Sequence, residues 1–453
     1  MQENKQDIII IGAGLSGLAL AYYLKKQGRN VKVLEKASQP GGVIQTIRKN
    51  GFVFEKGPNT GILKYPEVVD LLQDLDDDCE LEIGDKAVKR RLILYRNRWK
   101  ELPSGLLGGI RTPLFTWKDK FRLLGEPFRK PGTNPNETLE ELVLRRMGKS
   151  FLNYAVDPFI LGVYAGDPAK LIPRHALPKL YWLEQDYGSF IGGAIKKQRQ
   201  GKTDEEKKAT KDVFSIKGGL SNLIHALERK IGKTNIRYAQ EGIRIEPQDN
   251  RFIIQSNNET LKAGQVILTG GAHEVPGLLP FLNEKEASTF RSLQHARVVE
   301  VALGFNEWKG IPLNAFGGLI PHVEGRKLLG ALFLSSFLEN RAPKAGALLT
   351  LFLGGVRNDQ LVDLPDEEIK NIVEKEITEL FQLPEFSPDL LHISRYQYAI
   401  PQYGIESEER LEVIRNMQEK YPGLIIAGNQ RDGIGMADRI KQAADIAKKL
   451  KAS

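Results

Sequence analysis

The sequence predicts an α/β protein: a nucleotide-binding domain with a parallel sheet, a mixed-sheet substrate domain, and a helical insertion. Three observations predict it. Short apolar runs leading into glycine turns recur near the start, middle and end of the chain, at Ile8 to Ile11, Val266 to Leu268 and Leu424 to Ile426. The first of them opens a strand–helix–strand unit. Residues Arg297 to Gly355 instead read as successive short strands (Val298 to Phe305, Gly318 to Pro321, Leu328 to Leu334, Ala347 to Gly354) parted by turns, which suggests a sheet flooring a substrate site. A chain of 453 residues is long enough for two or three domains with their own cores.

The first unit carries the most information. Ile8 to Ile11 is a β-branched run too short for a core helix and suited to a strand buried on both faces. It enters Gly12-Ala13-Gly14-Leu15-Ser16-Gly17, after which Leu18, Ala19, Leu20, Ala21 and Leu24 continue at helical spacing to a stop at Gly28. A second strand, Val31 to Leu34, ends in Glu35-Lys36. This is the dinucleotide fingerprint in its proper context. Gly12 turns the chain out of the strand, Gly14 lets backbone approach a pyrophosphate, and Gly17 lets helix and sheet pack closely. The helix start at Leu15 and Ser16 offers unpaired N–H groups to the phosphates. Glu35 stands where a carboxylate accepts hydrogen bonds from a ribose, which argues for FAD or NAD over a 2′-phosphorylated cofactor.

Composition narrows the class. With 41% hydrophobic and 27% charged residues, the chain reads as an ordinary soluble protein. Its only cysteine, Cys79, excludes an intramolecular disulfide and a cysteine metal cluster, and its neighbours Asp76, Asp77 and Asp78 oppose a thiolate, so its role reads as structural. The net charge of +8 suits an anionic substrate or an acidic membrane surface, while no aromatic-interleaved basic motif points to nucleic acid. The apolar stretch Ile8 to Leu24 is read as strand and helix, not as a signal or membrane segment, because of its spaced glycines.

Next come Gly41-Gly42-Val43 and an alternating strand, Gly51 to Lys56, that runs into Gly57-Pro58-Asn59. An acid, a glycine pair and a strand ending in Gly-Pro together resemble the flavin amine oxidase superfamily, in which both turns lie along FAD. Val43 stands where many amine oxidases have arginine. A short helix is expected over Tyr65 to Leu75 and a strand over Lys89 to Tyr95. From Trp99-Lys100-Glu101-Leu102-Pro103-Ser104-Gly105-Leu106 to about Arg129, Leu, Phe and Trp117 mix with Lys and Arg. That composition suits either a helical surface resting on lipid or a lobe packed on its own domain.

The resemblance narrows at Gly162-Val163-Tyr164-Ala165-Gly166-Asp167-Pro168, followed by Leu183-Glu184-Gln185. With these elements the chain resembles, end to end, the oxygen-dependent protoporphyrinogen oxidase family. The resemblance implies a discontinuous FAD domain (1–85, 211–275 and 396–453), a helical, membrane-associating and substrate-lining insertion (86–210), and a substrate sheet domain (276–395). It implies that Leu319, Leu332 and Phe352 hold a tetrapyrrole near Gly166, that Arg91 binds a propionate, and that Ile243 meets the adenine end of FAD. Within the last segment, Gly428-Asn429 and Gly435-Met436 would face the flavin. Charge-dense Gln200 to Asp212 reads as a solvated loop or an exposed helix end, and Asp366 to Phe381 as a helix.

The chemistry implied is oxidation of protoporphyrinogen IX to protoporphyrin IX in haem synthesis. Oxygen would return the flavin to its oxidised state and yield hydrogen peroxide. The six histidines are scattered, with no metal spacing and no hydrolase triad, so no metal site is expected, and no side chain is singled out as a catalytic base. The same reaction on coproporphyrinogen III is the nearest alternative, followed by an amine oxidase or carotenoid desaturase and by a non-catalytic flavoprotein. Expected partners are the porphyrinogen and O2, with the membrane surface, the next haem-pathway enzyme and a second copy as further candidates. The expected location is the cytoplasm, including the cytoplasmic membrane face.

Overall fold

The structure, a computed structural model, describes residues 6–103, 108–109, 111–199, 201, 203–257 and 259–452. Ser104 to Leu106, at the end of the stretch quoted from Trp99, lie outside them, as do Gln200 and Lys202 of the charge-dense segment.

The nucleotide-binding sheet forms around the isoleucine run. Strand Gln6–Ile11 pairs in parallel with Val31–Leu34 on one side and with Thr260–Leu268 on the other. Beyond Val31–Leu34 lies the short parallel strand Ile236–Arg237. The nine-residue strand Thr260–Leu268 divides its far edge, pairing antiparallel with Arg251–Gln255 and parallel with Leu424–Ile426. Alternate isoleucines enter different cores. Ile8 and Ile10 pack with helices Leu15–Lys26, Ser221–Ile231 and Met436–Ala452, whereas Ile9 and Ile11 pack with Phe290, Ile414 and Met417. A strand covered on both faces needs apolar residues without alternation, which is why this run carries no polar member.

The second sheet has seven strands in the order Leu390–Pro401, His295–Phe305, Ala347–Gly354, Leu328–Leu332, Gly317–Leu319, Arg91–Tyr95 and Arg98–Glu101. Its back is covered by helix Asp366–Phe381, whose Ile369, Val373, Ile377 and Leu380 fall at helical spacing. The edge strand Leu390–Pro401 was not foreseen. Polar His392, Ser394, Arg395 and Gln397 interrupt the pattern that marks a strand, because an edge strand leaves much of its length to solvent. Two small sheets complete the strands: the hairpin Gln45–Lys49 with Phe52–Lys56, and Val213–Ile216 flanked by Gly61–Ile62 and Leu81–Ile83.

Between Trp117 and Arg199 the chain is helical, including Leu139–Arg146, Asp157–Tyr164, Pro178–Tyr187 and Phe190–Arg199. An ionic cluster lies inside this lobe. Fully buried Arg146 donates to Glu184 at 2.6 Å, to Glu126 at 2.7 Å and to the Gly188 carbonyl at 2.8 Å. Glu126 in turn accepts from Ser189 and from the Phe190 N–H at the start of the last helix. The Leu183-Glu184-Gln185 element is therefore a structural brace. Removing one partner of such a cluster leaves a buried charge uncompensated, at a cost of ~3–5 kcal/mol. Glu184→Ala is expected to lower the thermal midpoint and speed proteolysis within the lobe, with flavin retained; an unchanged midpoint would show that the cluster contributes nothing.

Candidate active site

The ends of three parallel strands build a cradle. Gly12 has φ +106°, and a Cβ on Gly17 would stand 1.9 Å from the Gly12 carbonyl, so helix and strand meet backbone to backbone. Thr269, one residue past Thr260–Leu268, locks the junction by donating to the Ile11 carbonyl at 2.9 Å. A Cβ on Gly14 would meet nothing within 4 Å, and the helix that starts at Leu15 has no side-chain cap. Open volume beside the uncapped start of a helix is what a diphosphate requires.

Other turns converge on the same place. The Gly41 N–H donates to the Ala13 carbonyl at 2.8 Å, and a Cβ on Gly42 would stand 3.5 Å from Gly14 Cα, so the two glycine turns are stacked. The buried Glu35 carboxylate accepts from the Ala13 N–H at 2.6 Å and the Ala37 N–H at 2.8 Å. Exposed Lys36 is paired with Glu274. Ile243 is buried beside Ile11 and Leu34, close to where the Gln240 N–H donates to the Glu35 carbonyl. From the last segment, Gly428 packs on the Gly270 carbonyl, and the Asn429 carbonyl accepts from Tyr403 at 2.7 Å. Met436 is buried at the helix start, while Asp438 ties the turn together by accepting from the Gly435 N–H, Lys64 and Tyr65. The donor set, the open volume at Gly14 and the acid at a strand tip fit a dinucleotide such as FAD.

The Gly57-Pro58-Asn59 turn joins this cradle to the second sheet. Buried Glu300, in the middle of His295–Phe305, accepts from the Gly57 N–H at 2.9 Å and from Asn59 Nδ2 at 2.7 Å. Buried Thr350 donates to Asn59 Oδ1 at 2.9 Å. Burial lifts the Glu300 carboxyl from the ordinary range to about 7, against the opposing pull of those two N–H contacts.

Cross-strand pairing shows what stands on the same face. One row runs Ile93, Leu319, Gly330, Phe352, Glu300, Ser394; the next runs Arg91, Gly317, Leu332, Thr350, Ala302, His392. Directly paired residues share a face, so four of the five expected substrate contacts, all but Gly166, and both anchors of Asn59 stand on one side of the sheet. Leu319, Leu332 and Phe352 are half-buried. Leu332 packs with the hairpin residues Phe52 and Phe54, whereas Phe352 packs with Leu161 and Ala165 of the helical lobe. A seam between two packing units therefore runs over this row, with Leu319 touching Gly162 and Gly317 and Gly330 contributing no side chains. Arg91 is exposed at the outer end, its guanidinium 5.6 Å from the Phe316 ring centroid and without a carboxylate partner among the described residues.

The element around Gly166 acts one step back from this face. Arg357 clamps Asp157 at 2.5 Å and Asp167 at 2.7 Å, and Asp157 also accepts from the His322 N–H. Gly166 is buried against Gln402, whose Oε1 would lie 2.4 Å from a Cβ. The motif thus holds helix Asp157–Tyr164 on the sheet. Thr269, Glu300, Thr350 and Arg357 were not singled out from sequence, although an acid inside Val298-Val299-Glu300-Val301 is a visible sign of a buried partner. Two clefts of about 450 Å³ lie off this face: one beside Leu424–Ile426 and the last helix, reaching Tyr65 and Asp438, the other beside Asn97, Glu324 and Arg326. Among the described residues no group of His, Cys, Asp and Glu is placed to hold a metal ion. The Cys79 thiol is buried and pushed up to about 11.

The cradle makes a direct prediction. Gly14→Val puts a branched side chain into the space left for the diphosphate, so the purified variant is expected to be colourless; a full complement of visible flavin absorbance would overturn the assignment of the cradle.

Similar proteins bear on the reading. Protoporphyrinogen oxidase 2 of Arabidopsis thaliana is 29% identical, over 97% of this chain and 93% of its own length. Coproporphyrinogen III oxidase of Bacillus subtilis (strain 168) is 26% identical, over 98% and 97%. The crystal structure of a protein from Exiguobacterium sp. 255-15, provisionally assigned as a protoporphyrinogen oxidase, superposes with a TM-score of 0.82 at 23% identity and 99% coverage of both chains. Residues 15–441 match the family described as flavin containing amine oxidoreductase, and the chain belongs to that family, an FAD-dependent oxidoreductase.

Proposed function

We propose that this chain is a porphyrinogen oxidase of haem biosynthesis, taking protoporphyrinogen IX to protoporphyrin IX with O2 as acceptor. The observation that carries the reading is the seam over Leu319, Leu332 and Phe352, set on the same sheet face as the anchors of the Gly57–Asn59 turn, with Arg91, which has no carboxylate partner among the described residues, at its outer end. Bound FAD supplies the two-electron chemistry, three times per substrate, with each pair of electrons passing on to one O2 to give one H2O2. The chain's own residues bind and orient. Leu319, Leu332 and Phe352 present apolar surface to the macrocycle and keep water from it. Arg91 receives a propionate as a planar charge-assisted pair. Asn59, held from both sides by Glu300 and Thr350, fixes the turn between cofactor and substrate.

Coproporphyrinogen III is the second reading, favoured by the likeness to the Bacillus subtilis enzyme across nearly the whole chain. The location we infer is the cytoplasm, with contact at an anionic lipid surface. Trp117, Phe121 and Leu124 recur on one helix face, 63%, 67% and 64% exposed, and Phe128 beside them is 90% exposed. Lys118 adds positive charge, and among the described residues no helix is long and apolar enough to cross a membrane. A second copy and the next haem-pathway enzyme remain candidate partners.

Each reading has its measurement. Presented anaerobically with either porphyrinogen and then with oxygen, the holoenzyme is expected to produce porphyrin fluorescence and peroxide, faster with protoporphyrinogen. Faster turnover of coproporphyrinogen would establish the second reading, and turnover of neither would remove both. Arg91→Ala should raise KM about tenfold or more with flavin intact, the loss of a contact worth ~1.5–3 kcal/mol; unchanged KM takes Arg91 out of the site. Phe352→Ala should weaken substrate far more than flavin, and a loss of stability alone would return it to the core. Sedimentation with vesicles rich in anionic lipid should fall when Trp117 and Phe121 are both changed to Ser, and equal sedimentation would refute the lipid contact.

A further inference from the structure

Glu300 serves two masters. One oxygen accepts from the Gly57 N–H and the other from Asn59 Nδ2, and the Tyr396 hydroxyl also faces the carboxylate. Its cross-strand partners are Phe352 on one side and Ser394 on the other. The strand that holds the cofactor-side turn is therefore hydrogen-bonded, at that same residue, to the strand that carries a substrate contact. The side chain is 3% exposed and has no cationic partner within the salt-bridge distance of 4.0 Å among the described residues. A bare carboxylate is costly to bury, and only hydrogen bonding to its charged form offsets that cost here.

We propose that Glu300 is a positioning residue for catalysis: its carboxylate holds the Gly57–Asn59 turn, and with it the flavin ring, in register with the substrate face, and its protonation releases that hold. This rests on the porphyrinogen oxidase reading for its substrate alone, since the contact to the cofactor-side turn exists without it. Protonation removes the charge that strengthens both contacts and makes one oxygen a hydroxyl that can turn toward Tyr396, so the hold on the turn weakens. The groups facing Glu300 are Asn59 and Glu55 from the flavin side and Tyr396 from the edge strand. Glu55 is paired with Arg341 at 3.1 Å and is raised by its own burial; Tyr396 is raised well above the usual phenol range by burial. Burial holds the Glu300 carboxyl at about 7. The sign follows: the hold is present above that value and lost as pH falls through it.

The test uses the holoenzyme with and without porphyrinogen. In the wild type, the visible flavin spectrum without substrate should change with an apparent pKa near 7, and kcat should rise with pH through the same value while KM moves little. Glu300→Gln should keep flavin, abolish both pH steps and lower kcat about tenfold. Thr350→Val, which frees Asn59 Oδ1, should lower kcat while keeping the pH steps. A wild-type flavin spectrum that is flat through neutrality overturns the proposal whether or not Glu300→Gln folds, as does a Glu300→Gln enzyme whose steps persist. If neither porphyrinogen is turned over, the substrate-free spectral step still decides the role of Glu300 separately from the function.

Discussion

The constraint on which the rest depends is the bond between the turn after the hairpin and the second sheet. Asn59, in a turn leading out of the hairpin beside the glycine cradle, is held by a carboxylate and a hydroxyl from neighbouring strands of the second sheet. Buried hydrogen bonds of this kind are directional where packing is not, so they fix a distance and an angle that apolar contact alone leaves adjustable. Chemistry across a domain boundary needs that fixity, because near-attack geometry is lost within about 1 Å.

Around this joint the architecture divides labour. One sheet stacks its strand ends, Gly12, Thr269 and Gly428, into a backbone surface for a dinucleotide. The other offers a face whose cover changes hands from the Phe52–Phe54 hairpin to the Asp157–Tyr164 helix. The helical lobe is braced internally by Arg146 with its two glutamates and externally by Arg357 with its two aspartates. Its sequence signature is thus largely a record of ion pairs that seat a helix on the second sheet. The residues meant to meet substrate lie on the sheet below.

Much of the fold was legible because its driving forces are local. The run Ile8 to Ile11, the spaced glycines and the acid at a strand tip each state their own requirement within a few residues. Helix Asp366–Phe381 and strand Ala347–Gly354 were readable to the residue, the strand as an apolar run bounded by turns. The edge strand Leu390–Pro401 was not, since solvent on one side removes the pattern. Leu319, Leu332 and Phe352 came from resemblance, as half-buried apolar residues look like core in any single sequence. Glu300, Thr350 and Arg357 were missed because their partners lie 241, 291 and 200 residues away, and a pairing at that range leaves no local trace.

The central claim is that a flavin held by three distant stretches of polypeptide lies against an apolar face able to present a reduced tetrapyrrole to it. Rapid anaerobic mixing of holoenzyme with porphyrinogen, followed through the visible flavin band, tests it most directly. The account predicts that the band bleaches within a single turnover, at a rate no slower than steady-state oxidation, and returns when oxygen is admitted. A band that stays fully oxidised while porphyrin forms would contradict it.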